Sequence, residues 1–208
     1  MEVACFLVHA ALTCRRKAID LNRALGATWN VAIVGHAFVQ SLDPAAFFTR
    51  HPAMPPSFML AVCNESIFYA VHLVEEIIEK NVVYAAHHAG ALATIGVALH
   101  SGYFQPMLLV FGIFTVSSPF LYISKWAHHN RMDDLAKLTF ALFAAVFFVF
   151  RIVAFPMVLK YTWIDSIDLP DLHIGAYITC NTILSALYVL QWHWFQKIAT
   201  IVRKQLLK

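Results

Sequence analysis

Runs of about twenty apolar residues recur along this chain, divided by short clusters of charge, and no other feature narrows its fold so far. Six stretches reach the length that a helix needs to cross a hydrocarbon layer. They run approximately Trp29–Phe48, Pro56–Ile78, Val82–Ser101, Pro106–Lys125, Leu138–Leu159 and Ile174–Gln196. A seventh, residues 1–14, is short and ends at Arg15, Arg16 and Lys17. Its basic residues follow the apolar run, the reverse of a signal peptide, so it is expected to be an anchored N-terminal helix. Hydrophobic residues make up 60% of the 208 positions and charged residues 13%, against roughly 45–50% and about 25% in a soluble domain. A water-soluble globule of this size leaves too much surface exposed to hide that composition, and a disordered chain lacks it. The expected fold is all-α: a polytopic transmembrane helix bundle of six to seven spans.

Lysine and arginine are spread unevenly over the loops. With seven crossings, one side holds Arg15, Arg16, Lys17, Arg23, Lys80, Lys125, Arg131, Lys137, Lys197, Arg203, Lys204 and Lys208. The other side holds Arg50 and Lys160, and Arg151 lies within a span. The basic side should be cytosolic, with residues 201–208 a basic cytosolic tail. A net charge of +3 is too weak and scattered to suggest nucleic acid as a partner. Cys5, Cys14, Cys63 and Cys180 show no CxxC spacing and read as small hydrophobes.

Polar residues inside spans are costly and mark candidate sites. Counting from the cytosolic end of each span at about 1.5 Å per residue, His36, His72, His87, His88, Ser117 and Ser118 fall roughly 10–13 Å deep. A second layer, about two turns deeper, holds Glu65, Arg151 and Asn181, with Asn64 beside them. Each has a plainer reading. An intramembrane histidine commonly bonds a neighbouring helix, and Glu65 with Arg151 can form a neutralising pair. Ser117 and Ser118 can satisfy backbone freed by Pro119. Adjacent histidines point about 100° apart on a helix, so one of His87 and His88 is expected at a cavity and the other against a neighbour. His128 and His129 are expected to be solvated.

The histidine spacing argues against a metal. Membrane di-iron sites need HxxxH and HxxHH boxes, which are absent, as are HExxH, GxSxG and glycine-rich phosphate loops. Asn64-Glu65-Ser66 matches a glycosylation sequon but lies within a span.

Five short motifs, in order, resemble a known family. Trp29-Asn30 with Gly35-His36-Ala37 resembles the start of TLC-domain membrane proteins, and Ser66 to His72 resembles their next span. His87-His88 is similar to the family's double histidine. Ser117-Ser118-Pro119-Phe120-Leu121 with Lys125-Trp126, and Phe150-Arg151-Ile152 with Pro156, are similar to elements of its TLCD-like branch. The resemblance covers residues 15–200. It implies an endoplasmic-reticulum or other endomembrane protein related to ceramide synthases, which join a fatty acyl-CoA to a sphingoid base. His72 and Thr115 stand where the family commonly has acids, and Val110 to Ser124 lacks the synthases' paired aspartates.

Two functions follow from this resemblance. In one, a lipid-binding or lipid-homeostasis protein cradles a headgroup on His36, His72, Ser117, Ser118, Glu65, Arg151 and Asn181, with membrane lipids as partners and no cofactor. In the other, an acyltransferase acts on a sphingoid base or lysolipid, with acyl-CoA as co-substrate and His87 or His88 as the catalytic general base. A homodimer is compatible with either.

Overall fold

The computed structural model describes residues 16–40, 56–101, 112, 114–165, 167 and 173–206, and all the regular structure among them is helical. The N-terminal segment 1–14, the far end of Trp29–Phe48, most of residues 106–113, and Asp168 and Asp171 lie outside the described residues. The helices are α1 (Arg16–Gln40), α2 (Pro56–Ile78), α3 (Val82–Ser101), α4 (Ser118–His129) after a 3₁₀ turn Thr115–Ser117, α5 (Asp133–Phe147), α6 (Phe155–Lys160) and α7 (Ile174–Leu206). A π-helical segment, Phe148–Ala154, joins α5 to α6, and another, Tyr161–Asp165, follows α6, so that this part of the chain forms one long rod.

Each helix buries a stripe at helical spacing. On α1 it is Asp20, Arg23, Ala27, Asn30, Val34 and Ala37; on α2 it is Ala61, Glu65, Tyr69, His72 and Glu76. On α7 it runs from Tyr177 through Cys180, Leu184, Leu187 and Gln191 to Trp194 and Ile198. Many inward positions are polar, while Leu25, Trp29, Leu60, Ile67, Val74, Ile78 and Val189 face outward. Apolar outside and polar inside is the arrangement that hydrocarbon, rather than water, selects. Small residues in the α1 stripe allow close approach. At Gly112 a Cβ would collide with Val34 of α1, so only glycine fits there.

Neighbouring contacts run α1 to α2, α2 to α3, α3 to α7, α7 to α5, α5 to α4 and α4 back to α1. The helices therefore close into a ring. Two tight turns at one end, Glu79–Asn81 and Asn130–Met132, each hold a left-handed residue, Lys80 (φ 57°) and Arg131 (φ 60°). Among the described residues, three stretches, Val82–Ser101, Asp133–Ile164 and Ile174–Lys204, are long and apolar enough to cross a membrane.

The chain is already helical at Arg16, well before Trp29, where the first long span was expected to start. The charged turns before Trp29 are helical because they have partners. Arg23 meets Glu75, Glu76 and Glu79 of α2 and its C-terminal end, at 3.0, 3.8 and 3.5 Å. Asp20 meets His129 at 2.8 Å, so that histidine has a carboxylate partner and is not simply solvated.

Candidate functional site

The interior of the ring holds a cavity of about 240 Å³. Its polar lining comes from Tyr69 of α2, Tyr84, His87 and His88 of α3, Thr115, Ser118 and Tyr122 around α4, Arg151 of the π segment, and Lys197 of α7. The apolar lining is Phe68, Leu121, Phe140, Phe143, Phe147, Trp194, Ile198 and Ile201. Exposed Lys197 and Ile201 mark its mouth, toward the end of the ring that bears the two tight turns. A smaller space of about 20 Å³ adjoins it across Tyr69, His87 and Arg151.

His87 and His88 both line this cavity, contrary to the expected division between cavity and neighbour. The angle between them is used to span it. His88 turns toward α2, 5.8 Å from the Tyr69 ring and 5.5 Å from His72. His87 turns toward α7, edge-on to Trp194 at 4.9 Å. The two imidazoles lie 5.2 Å apart. Nδ1 of each is buried without a hydrogen-bond partner. His72 stands behind His88, and its Nδ1 lies 2.8 Å from Phe68 O. A carbonyl only accepts, so that bond assigns the proton to Nδ1.

Arg151 is held by three bonds to neutral groups. Nε donates to Phe114 O (2.9 Å), Nη1 to Gln191 Oε1 (3.3 Å) and Nη2 to Ser118 Oγ (3.3 Å). Phe114 O is available to it because the Ser118 N–H bonds Thr115 O, tightening the turn before Pro119. That backbone bond also corrects the expectation for the serines. The Ser118 side chain accepts from Arg151, and Ser117 Oγ is buried with no partner. The expected Glu65–Arg151 pair is not formed. Glu65 is 1% exposed, its Oε1 has no partner, and it is absent from the described lining.

The other nominated residues lie elsewhere. His36 is exposed on α1, nearly two turns beyond Asn30. Asn30 itself donates to Thr115 Oγ1 (3.3 Å) and accepts from Asn64 Nδ2 (2.6 Å), so Asn64 belongs to a polar contact between helices. Asn181 is fully buried and donates to Thr162 O at 2.9 Å, clasping the second π segment. Cys63 and Cys180 are free thiols. Among the described residues no group of three or more His, Cys, Asp or Glu is placed to hold a metal ion.

Sequence reasoning passed over Tyr69, Tyr84, Tyr122, Trp194 and Lys197. Helical spacing carried a signal for three of them. Tyr69 precedes His72 by three positions, Tyr84 precedes His88 by four, and Tyr122 follows Ser118 by four, each on the same helical face. Chemically the site presents hydrogen-bonding imidazoles, hydroxyls and two cations to a space that is otherwise lined by aromatic and aliphatic side chains.

The family model for the TLC domain matches residues 28–200. Over 178 residues the chain is 26% identical to ASC1-like protein 3 of Oryza sativa subsp. japonica, spanning 80% of this chain and 63% of that protein. It is 27% identical over 128 residues to Alternaria stem canker resistance protein 1 of Solanum lycopersicum, spanning 58% of this chain and 42% of that one. The chain thus spans less than two thirds of the length of either relative.

Proposed function

We propose, because this chain belongs to the TLC-domain family, that its helical ring is an integral membrane protein that binds lipid in its interior. The observation that carries this reading is a cavity whose lining combines polar and charged groups with aromatic ones. Phe140, Phe143 and Phe147 suit an aliphatic chain, while His87, His88, Ser118 and Arg151 offer hydrogen bonds to a headgroup. Small-molecule sites are commonly about 300–1,000 Å³. A space of about 240 Å³ fits a head and the first part of a chain, with the remainder leaving through the mouth. In this reading all six rods of the ring cross the bilayer, a seventh crossing resting on residues 1–14. The end bearing Lys80, Arg131, Lys197 and Arg203 faces the cytosol with the C-terminus. The membrane is the endoplasmic reticulum or another endomembrane.

The acyltransferase reading is favoured by one observation, the buried and unpartnered Nδ1 atoms of His87 and His88. A general base needs a free nitrogen at the cavity. Against a sphingoid base as acceptor stand Arg151 and Lys197, with no Asp or Glu in the described lining to receive an ammonium group. Native mass spectrometry of the purified chain, with acyl-CoA turnover measured on the same sample, separates the two. Bound lipid without turnover is the expected result. Turnover lost in the His87→Ala/His88→Ala variant replaces binding with catalysis, and neither lipid nor turnover overturns both.

A further inference from the structure

A lipid that moves from bilayer to cavity is already in an apolar phase, so the aromatic lining supplies little net driving force. Selectivity must come from the polar groups, and the guanidinium of Arg151 dominates them. A guanidinium has five N–H donors in a rigid fork. Three are engaged, one on each nitrogen, which leaves one on Nη1 and one on Nη2. Every acceptor is neutral. The ion pairs among the described residues are those of Arg23 and of His129, none of them at Arg151. The Phe147 ring, 5.2 Å from the guanidinium carbon, adds a cation–π contact. That contact is small beside the cost of enclosing an unpaired charge. Lys197 places a second cation at the mouth. The cavity thus lacks one negative charge, at a position where two donors remain.

We infer that the ligand is a single-chain amphiphile headed by a small oxyanion, either a fatty-acid carboxylate or the phosphate monoester of a lysophospholipid. The inference rests on the lipid-binding reading and names its ligand class. Terminal nitrogens of Arg151 hold two oxygens of the head, the bidentate match that guanidinium makes with carboxylate and phosphate. The chain lies along Phe140, Phe143 and Phe147, and Lys197 draws the head in from the membrane surface. A cavity of about 240 Å³ suits a small head beside Arg151 better than a bulky esterified one.

The test measures binding of oleate, oleoyl-lysophosphatidate, oleyl alcohol and inorganic phosphate to the purified full chain in nonionic detergent. At least one of the two acidic amphiphiles should bind about 10-fold or more tightly than oleyl alcohol, and the tighter of them identifies the head. That preference should vanish in Arg151→Gln and survive in part in Arg151→Lys. Lys197→Gln should weaken binding less than about 5-fold, and only at low salt. Equal binding of oleate, oleoyl-lysophosphatidate and oleyl alcohol overturns the inference and leaves lipid binding intact. Inorganic phosphate binding as tightly as oleoyl-lysophosphatidate also overturns it. If no amphiphile binds, the lipid-binding reading falls with it. Should Arg151→Gln fail to fold, the wild-type comparison of acid with alcohol decides alone.

Discussion

Arg23 keeps 7% of its side-chain surface exposed and faces Glu75 at 17%, Glu76 at 8% and Glu79 at 52%. Removing one member of an enclosed ion pair strands the other, at about 3–5 kcal/mol. Arg23→Gln leaves Glu75 and Glu76 stranded and should lower stability by about 3 kcal/mol. Glu79 is half in solvent, so Glu79→Gln should cost less than about 1 kcal/mol. Thermal unfolding in detergent reads both, and equal losses would contradict the role given to burial. Arg151 shows the opposite solution, a guanidinium whose hydrogen bonds all go to neutral groups, a carbonyl, an amide and a hydroxyl. Depth counting singled out Arg151, His87, His88 and Ser118, which line one cavity, because their spans have sharp ends. It paired Glu65 with Arg151 wrongly, because equal depth says nothing about which way two side chains point around a ring. The tyrosines were passed over because a tyrosine in a membrane span raises no alarm in a sequence, whereas a histidine does.

Along single elements, local backbone chemistry explains where the helices deviate. Pro156 has no N–H, so the carbonyl four residues earlier, that of Ile152, loses its α-helical donor. Tyr188 OH of α7 reaches that carbonyl at 3.4 Å, and the chain there is π-helical. The second π segment is clasped from the same helix, with Asn181 on Thr162 O and Tyr177 OH on Trp163 O at 2.6 Å. Lys80 and Arg131 close their turns in the left-handed region, which costs a residue with a Cβ about 1–2 kcal/mol. Glycine removes that strain but loses more chain entropy on folding, about 0.5–1 kcal/mol. Lys80→Gly should therefore be stabilising by up to about 1 kcal/mol in thermal unfolding, and a clear loss would mean that the lysine side chain holds the turn. The start of α1 was illegible for a physical reason. Asp20 and Arg23 look like loop residues until their partners His129 and Glu75 are known, and those partners lie on other helices.

For the molecule as a whole, function depends on whether the ring closes. The apolar runs made the helical class and most of the rods readable, since each run had to be a helix in hydrocarbon. Their order around a ring was not readable, because outward faces are uniformly apolar and carry no record of neighbours. Closure rests on α3 meeting α7, and Gly90 sits at that contact. A Cβ there would lie 3.2 Å from Leu187 Cδ2 and 3.6 Å from Ile183 Cγ2. Gly90→Ile would force the two helices apart, and such overpacking costs about 1–3 kcal/mol. His87 and His88 lie one turn or less from Gly90 on α3, and Trp194 lies two turns from Leu187 on α7. A wedge at Gly90 should therefore also widen the His87–Trp194 edge of the cavity and weaken amphiphile binding. Gly96, on the same helix, has nothing within 4 Å of its would-be Cβ. Gly96→Ala should be stabilising by about 0.8–1 kcal/mol through helix propensity alone and leave binding unchanged. Thermal unfolding and oleate binding measured on both variants distinguish a ring held shut at α3 and α7 from a loose bundle. Only in the ring does the substitution at Gly90 act on both readouts while that at Gly96 acts on one.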